Sequence, residues 1–139
     1  MNKQLKLIAA AAALAFGSAN AATINGNFQV QVTLTPVCSL TAGPANVTFT
    51  YTSFQAGASN SAGGGFSVAC TQNLSYSMSL DAPPTGLVGG LAYTIAAPAG
   101  SFTGTGVAVA HSISGTIAGG QGGDVSAPTF ENRVLTITY

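Results

Sequence analysis

Apolar and polar residues alternate with a period of two in most segments of this 139-residue sequence. The clearest case runs from Leu74 to Leu80, where serines separate Leu74, Tyr76, Met78 and Leu80. Such spacing puts successive side chains on opposite faces of a β-strand. After residue 21, no segment has the i, i+3, i+4, i+7 apolar spacing of an amphipathic helix. The sequence therefore predicts an all-β fold.

Seven segments carry this alternation, and turn-forming residues separate them. They are residues 23–38, 47–51, 66–70, 74–80, 91–95, 107–117 and 134–139. Many short strands divided by turns are typical of a β-sandwich or barrel. The sequence contains no repeat of fixed period, which argues against a solenoid.

Residues 1–21 have the features of an export signal. Lys3 and Lys6 precede an apolar run from Leu7 to Phe16, and Ala19-Asn20-Ala21 forms a small-x-small cleavage site. These features in this order predict a secretory signal peptide. Its removal leaves 139 − 21 = 118 residues, which is enough for one domain.

Charge is scarce in residues 22–139. Their charged side chains are Arg133, Asp81, Asp124 and Glu131, so the net charge is 1 − 3 = −2. Such a chain cannot neutralise a phosphate backbone, which excludes nucleic acid as a partner. Soluble proteins normally carry more interspersed charge, so the composition favours a protein packed in an assembly or coat.

The two cysteines, Cys38 and Cys70, are predicted to form a disulfide because the chain is exported. A bridge closing about 32 residues would stabilise the fold by roughly 3.7 kcal/mol on the chain-entropy model. A redox pair would need CxxC spacing, and a metal site would need further ligands.

Few residues could carry out chemistry. His111 is the sole histidine, and it lies on the apolar face of its predicted strand. No Gly-x-Ser-x-Gly motif is present to supply a nucleophile. Asp81, Asp124 and Glu131 lie in or beside turns, where solvated carboxylates are expected. We therefore predict that the protein is not an enzyme and has no catalytic residue, no metal site and no cofactor.

The segment that follows the predicted signal has one apolar and one polar row. The apolar row is Ile24, Gly26, Phe28, Val30, Val32 and Leu34, and the polar row is Asn25, Asn27, Gln29, Gln31 and Thr33. A strand with this much apolar surface must be buried, either in its own domain or in a neighbouring molecule. Alternation alone is compatible with both arrangements.

The order of motifs resembles the spore coat protein U family, which includes the pilin subunits of archaic-type chaperone–usher pili. The matching segments are residues 24–32, 47–51, 68–70, 74–80, 115–117 and 134–139, with Gln121 and both cysteines. Glu131-Asn132-Arg133 replaces the Asp-Thr pair that usually precedes the last strand of this family.

The resemblance implies an incomplete immunoglobulin-like sandwich, spanning residues 36–139, with a hydrophobic groove. A periplasmic chaperone would fill the groove first. At an outer-membrane usher, the donor strand of a neighbouring subunit, residues 22–35, would replace the chaperone strand. The C-terminal strand would carry Leu135, Ile137 and Tyr139 in alternation. Such a subunit would pass through the periplasm to a fibre at the cell surface.

Two other functions remain open at this stage. A self-contained coat or adhesin domain would fold its first strand back into its own sheet. A small outer-membrane barrel would explain the last strand, Leu135-x-Ile137-x-Tyr139. Eight membrane-spanning strands of nine to eleven residues each would need longer alternating runs than most of those present.

Overall fold

The structure is a computed structural model that describes residues 22–139. The predicted signal peptide, residues 1–21, lies outside the described residues. The chain divides into an N-terminal unit that ends at Thr33 and a second unit, Leu34–Tyr139. The described residues form strands and no helix, so the all-β prediction is confirmed. Within residues 22–139 there is no helix long and apolar enough to cross a membrane.

In the N-terminal unit, residues 22–33 form no strand. The side chains of the apolar row, which ends at Leu34 in the second unit, are exposed, with exposed fractions from 71% for Leu34 to 93% for Ile24. Of the strand predicted from Thr23 to Cys38, only Cys38 lies in a strand of the described residues, because β1 begins there. An extended segment becomes a β-strand only when a second strand satisfies its backbone N–H and C=O groups.

The second unit contains twelve short strands. They are β1 (Cys38–Ala42), β2 (Val47–Thr48), β3 (Ser59–Asn60), β4 (Ala62–Gly63), β5 (Gly65–Cys70), β6 (Ser75–Leu80), β7 (Thr85–Val88), β8 (Leu91–Ala96), β9 (Ser101–Thr103), β10 (Ala108–Ser112), β11 (Ser114–Ile117) and β12 (Leu135–Thr138).

The strands form four antiparallel sheets. Their orders are β1-β5-β10, β3-β11-β8-β7, β12-β6-β9 and β2-β4. In the first sheet, Cys38 lies opposite Cys70, and the two residues form the predicted disulfide. The bridge therefore joins the start of β1 to the end of β5.

Alternation in the sequence decides which side chains form the core. The buried side chains are Phe66, Val68 and Cys70 on β5, Tyr76 and Met78 on β6, Tyr93 and Ile95 on β8, Ile113, and Ile117 on β11. The serines on either side of Tyr76 and Met78 are exposed. For β5, β6 and β8 the inward rows are those that the alternation predicts.

The structure differs from the predicted strands in several places. The segment 107–117 forms two strands in different sheets, because Ile113 donates its N–H to Gly64 O (2.9 Å) at the point where the chain changes sheet. Gly64 has φ +75°, and a Cβ there would collide with Ile113 O. In segment 47–51 only Val47–Thr48 is a strand. The short strands β7 and β9 have too few apolar residues to be detected by alternation.

Candidate functional site

A groove of about 780 Å³ opens into the core of the second unit. Its apolar lining consists of Val47, Phe49, Tyr51, Leu80, Val88, Leu91, Tyr93, Ile95, Ile113, Ile117 and Leu135. Two stretches of chain contribute most of the remaining lining, namely residues 44–49 and residues 129–133. The groove is therefore mainly apolar, with polar residues at the 129–133 stretch.

The groove reaches residues of the core itself. Ile117 is 2% exposed and Ile95 and Ile113 are 8% exposed, yet all three line the groove. Protein interiors are normally packed as densely as organic crystals, with few voids larger than a water molecule. The groove therefore lies directly against the hydrophobic core on this side.

Three strands that contribute residues to the groove, β2, β7 and β12, lie at the edges of their sheets. In the described sheets β12 pairs only with β6. Asp81 N–H donates to Val134 O (3.0 Å), so the backbone groups of Val134 point towards β6. Since these groups alternate in direction along an antiparallel strand, the N–H and C=O of Leu135 and Ile137 point away from β6. Leu135 also lines the groove, so this one residue contributes both an apolar side chain to the groove and unpaired backbone groups to the edge of β12.

Arg133 anchors the segment that leads into β12. Its Nε donates to both carboxylate oxygens of Asp81, at 3.0 Å each. The guanidinium also donates to the main-chain oxygens of Asp81 (2.9 Å), Pro83 and Thr85 (3.4 Å). Its side chain is only 13% exposed. Arg133 thus holds the groove-lining stretch 129–133 against the turn between β6 and β7.

The same cluster includes Tyr93 and Glu131. Tyr93 donates its hydroxyl to Glu131 Oε2 (2.7 Å) and accepts from Arg133 Nη1 (3.1 Å). Burial, together with the bond to Glu131, raises the pKa of Tyr93. The pKa of Asp81 is lowered, mainly because Val134 N–H donates to it and also because Arg133 is adjacent. Gly86 makes room for the cluster, since a Cβ there would meet Glu131 and Tyr93.

The remaining groups with potential for chemistry lie apart from one another. His111 Nε2 is 3.0 Å from the Tyr76 hydroxyl, and its ring contacts Phe66 and Phe102. Asp124 accepts from Ser126, which lowers the pKa of Asp124. The structure therefore does not bring His111 next to a carboxylate. Among the described residues, no group of three or more His, Cys, Asp or Glu side chains could hold a metal.

The residues predicted to act in assembly fall into two places. Leu135 and Ile137 are half-buried on β12, whereas Tyr139 is 58% exposed. The apolar row of residues 24–34 is exposed.

Sequence reasoning missed the Arg133 cluster, because Asp81 and Glu131 were expected to be solvated. Arg133 is the sole basic residue after Lys6, and that isolation is the signal that could have drawn attention to a structural role.

An extended polypeptide suits this groove better than a small molecule does. The open edge of β12 offers main-chain donors and acceptors, and the floor offers apolar contacts to alternate side chains. These are the two components of recognition by strand addition. The fold and the groove together define a class: a disulfide-linked, all-β domain whose mainly apolar groove is bordered by edge strands.

The chain belongs to the Spore Coat Protein U domain family, whose family model matches residues 24–101. This match confirms the resemblance on which the sequence analysis relied. The family consists of structural subunits of coats and of chaperone–usher pili, and it is not an enzymatic family. No curated protein and no solved structure matches the chain.

Proposed function

We propose that the protein is a structural subunit of a secreted surface fibre and that it assembles by donor-strand complementation. Residues 22–35 of one subunit act as the donor strand, and the groove of the second unit of the neighbouring subunit receives it. The observation that carries the proposal is the groove of about 780 Å³ whose floor is the hydrophobic core. A mainly apolar groove of this size offers a binding place for the apolar side chains of a partner.

The donor segment has the pattern that such a groove requires. Its apolar row would enter the groove, while its polar row would stay in solvent. Within residues 22–139 the segment forms no strand, and its apolar side chains are exposed. A donor strand that acts on a neighbour must be available in this way.

The expected energy is large enough for stable assembly. Burial of Ile24, Phe28, Val30, Val32 and Leu34 contributes roughly 1.5–3 kcal/mol per side chain, as an upper estimate. The sum is on the order of 10 kcal/mol, which is comparable with the stability of a whole domain. A head-to-tail contact of this kind does not close on itself, so repetition of it produces a filament.

The proposal implies partners and a route. A periplasmic chaperone would cover the groove before assembly, and an outer-membrane usher would catalyse the exchange for the donor strand of the next subunit. These partners fit the family, whose pilus members assemble with a chaperone and an usher. The subunit would be exported with the signal predicted at residues 1–21 and would reside finally in an extracellular fibre.

The decisive experiment separates binding of a donor strand to a neighbour from binding within the same chain. Residues 22–139 and a variant lacking residues 22–34 are compared by size-exclusion chromatography, each with and without the co-expressed chaperone. We expect polymers from the longer chain and a chaperone-bound monomer from the deletion variant. A synthetic peptide of residues 22–35 should displace the chaperone, and the Phe28→Asp peptide should not.

The self-contained coat or adhesin domain predicts the opposite result. The longer chain would remain monomeric without any chaperone, and the deletion variant would unfold. In that case the peptide would restore the fold of the deletion variant without producing polymers from the longer chain. Such an outcome would overturn the fibre proposal.

A further inference from the structure

The outward face of the sheet β12-β6-β9 carries hydroxyl side chains alone. These side chains are Ser75, Ser77 and Ser79 on β6, Ser101 and Thr103 on β9, and Thr136 and Thr138 on β12. All seven are exposed, and we refer to them as the hydroxyl face. None of the four charged side chains of residues 22–139 belongs to it.

The register of the sheet arranges these hydroxyls in rows. Ser77 lies opposite Thr138 on one side and Ser101 on the other. The pairs Ser79–Thr136 and Ser75–Thr103 lie in adjacent rows. Neighbouring strands are about 4.8 Å apart, and same-face residues within a strand are about 6.8 Å apart. The face is thus a regular lattice of groups that can each donate and accept a hydrogen bond.

These hydroxyls are not used within the fold. None of the seven makes a side-chain hydrogen bond to another described residue, whereas Thr94 and Thr116, on the outward face of the other large sheet, do. The hydroxyl face also contains a depression of about 260 Å³ between β12, β6 and β9. Tyr139, which is 58% exposed, lies at the rim of this depression and is the exposed aromatic side chain there.

Donor-strand assembly would enlarge this face, and the inference that follows rests on the proposed function. A donor strand paired with the open edge of β12 would turn its polar row outward, beside Thr136 and Thr138. That row is Asn25, Asn27, Gln29, Gln31 and Thr33. It also lacks charge, and stacked amide side chains stabilise packed sheets. The completed face would consist of four strands without a single charge.

We propose that the hydroxyl face is a lateral contact between fibres, and that its partner is the same face of a second copy of this chain. Each hydroxyl on this face can both donate and accept a hydrogen bond, so the face can form hydrogen bonds with a second copy of itself. Because it has no charge, two copies meet without the repulsion that a net charge of −2 per subunit would otherwise produce. In a two-fold contact, Tyr139 of one copy would lie over the depression of the other.

The hydroxyl face is small, so we expect the contact to form between fibres and not between free subunits. At about 33 Å² of sheet per side chain, seven residues cover about 230 Å² and the twelve of the completed face about 400 Å². A stable pair of proteins buries about 800 Å² per partner. One such contact is therefore too small to hold two free subunits together. Many contacts in a row along two fibres act together, as in other multivalent binding.

The test introduces charge at the centre of the face. Fibres of wild type, Ser77→Arg and Ser77→Glu are imaged by electron microscopy in about 0.15 M salt, where charges more than about 8 Å apart are screened. We expect wild-type fibres in bundles and fibres of each charged variant to be single. A mixture of Ser77→Arg and Ser77→Glu fibres should form bundles again, with both variants in each bundle. The control Ser114→Arg, exposed on β11 of the other sheet, should form bundles like wild type.

A second arm does not depend on fibre formation. Beads coated densely with the chain through an N-terminal tag provide the same multivalency, and their clumping is measured by light scattering. Wild-type beads should clump, beads of either charged variant should stay dispersed, and the two charged variants mixed should clump. If beads clump in this way but no fibres form, the proposed function fails and the lateral contact stands.

Several results would overturn the lateral contact while leaving the fibre intact. Wild-type fibres and beads that never associate would do so, as would Ser77→Arg fibres that form bundles as readily as wild type. A mixture of the two charged variants that stays dispersed would show that the hydroxyl face of one copy does not contact the hydroxyl face of another. Wild-type fibres that form bundles only after a polysaccharide is added would assign the face to a glycan instead.

Discussion

Arg133 Nε lies 3.0 Å from both carboxylate oxygens of Asp81, and this contact joins the segment before β12 to the turn after β6. The two residues are 52 positions apart in the sequence. The stretch that Arg133 anchors lines the groove, and β12 supplies its open edge. The ion pair therefore positions the surface that would receive a donor strand before any partner arrives.

The first prediction concerns pH. The lowered pKa of Asp81 means that its charged form is favoured in the folded state, so its contribution to stability is present above about pH 3.9. This contribution is lost as pH falls through the lowered pKa. Thermal unfolding followed by circular dichroism should give a nearly constant Tm between pH 7 and 5 and a falling Tm below about pH 4.

The variant Asp81→Asn tests the cause of this loss. It should lower Tm at pH 7, because Arg133 loses its ion pair, and it should flatten the decline below pH 4. Asp124→Asn serves as the comparison, since the Asp124 carboxylate accepts only from Ser126 in its own turn. The lowered pKa of Asp124 also contributes to the decline in acid, but its replacement should lower Tm at pH 7 less than Asp81→Asn does. If Asp81→Asn declines in acid as steeply as wild type, the ion pair is not the source of the acid sensitivity.

The second prediction concerns the donor strand. Phe28→Asp should abolish polymer formation, because a carboxylate would enter an apolar groove without a partner. Gln29→Asp is the matched control, since its side chain belongs to the polar row and would remain in solvent. Polymers are counted by electron microscopy and size-exclusion chromatography. Normal fibres from Phe28→Asp would contradict the proposed direction of the apolar row.

The third prediction concerns the open edge of β12. Leu135→Pro removes an N–H that points away from β6, so it should be little less stable than Leu135→Ala, which loses the same half-buried side chain, and yet accept a donor strand poorly. Thr136→Pro removes an N–H on the side of β6 and should destabilise the domain by about 1 kcal/mol or more. Urea unfolding and the donor-peptide assay measure the two effects separately. Equal effects of both substitutions on stability would refute the assigned direction of the strand.

The fourth prediction concerns the disulfide. Cys38 and Cys70 are 32 positions apart, so replacement of both by alanine should lower the free energy of unfolding by about 3.7 kcal/mol. Urea unfolding of the oxidised protein, the reduced protein and the double variant measures this difference. The reduced protein and the variant should agree closely. A loss below about 1 kcal/mol would mean that the bridge constrains the unfolded chain very little.

Alternation in the sequence predicted the inward rows of the longer strands. Phe66, Val68, Tyr76, Met78 and Ile95 are all buried as expected, because each belongs to a run with one apolar and one polar face. Such a run leaves only one way to place its apolar side chains in a core. The all-β class follows from the same information.

The arrangement of the strands required the structure. Alternation continues through Ile113 without a break, so nothing in the sequence marks the change of sheet between β10 and β11. That change depends on the close approach of Gly64, 49 positions earlier in the chain. The Arg133 cluster escaped prediction for a similar reason, because its partners are contributed by three separate turns and strands.

The position of the one basic side chain after Lys6 has a consequence outside the cell. Trypsin-like proteases must seat an extended lysine or arginine in their specificity pocket before they cut. In residues 22–139 the sole candidate is Arg133, whose guanidinium is already engaged by carboxylate and main-chain oxygens. A folded subunit offers such an enzyme no usable bond, and material built from it would persist where digestive or microbial peptidases of this specificity are abundant.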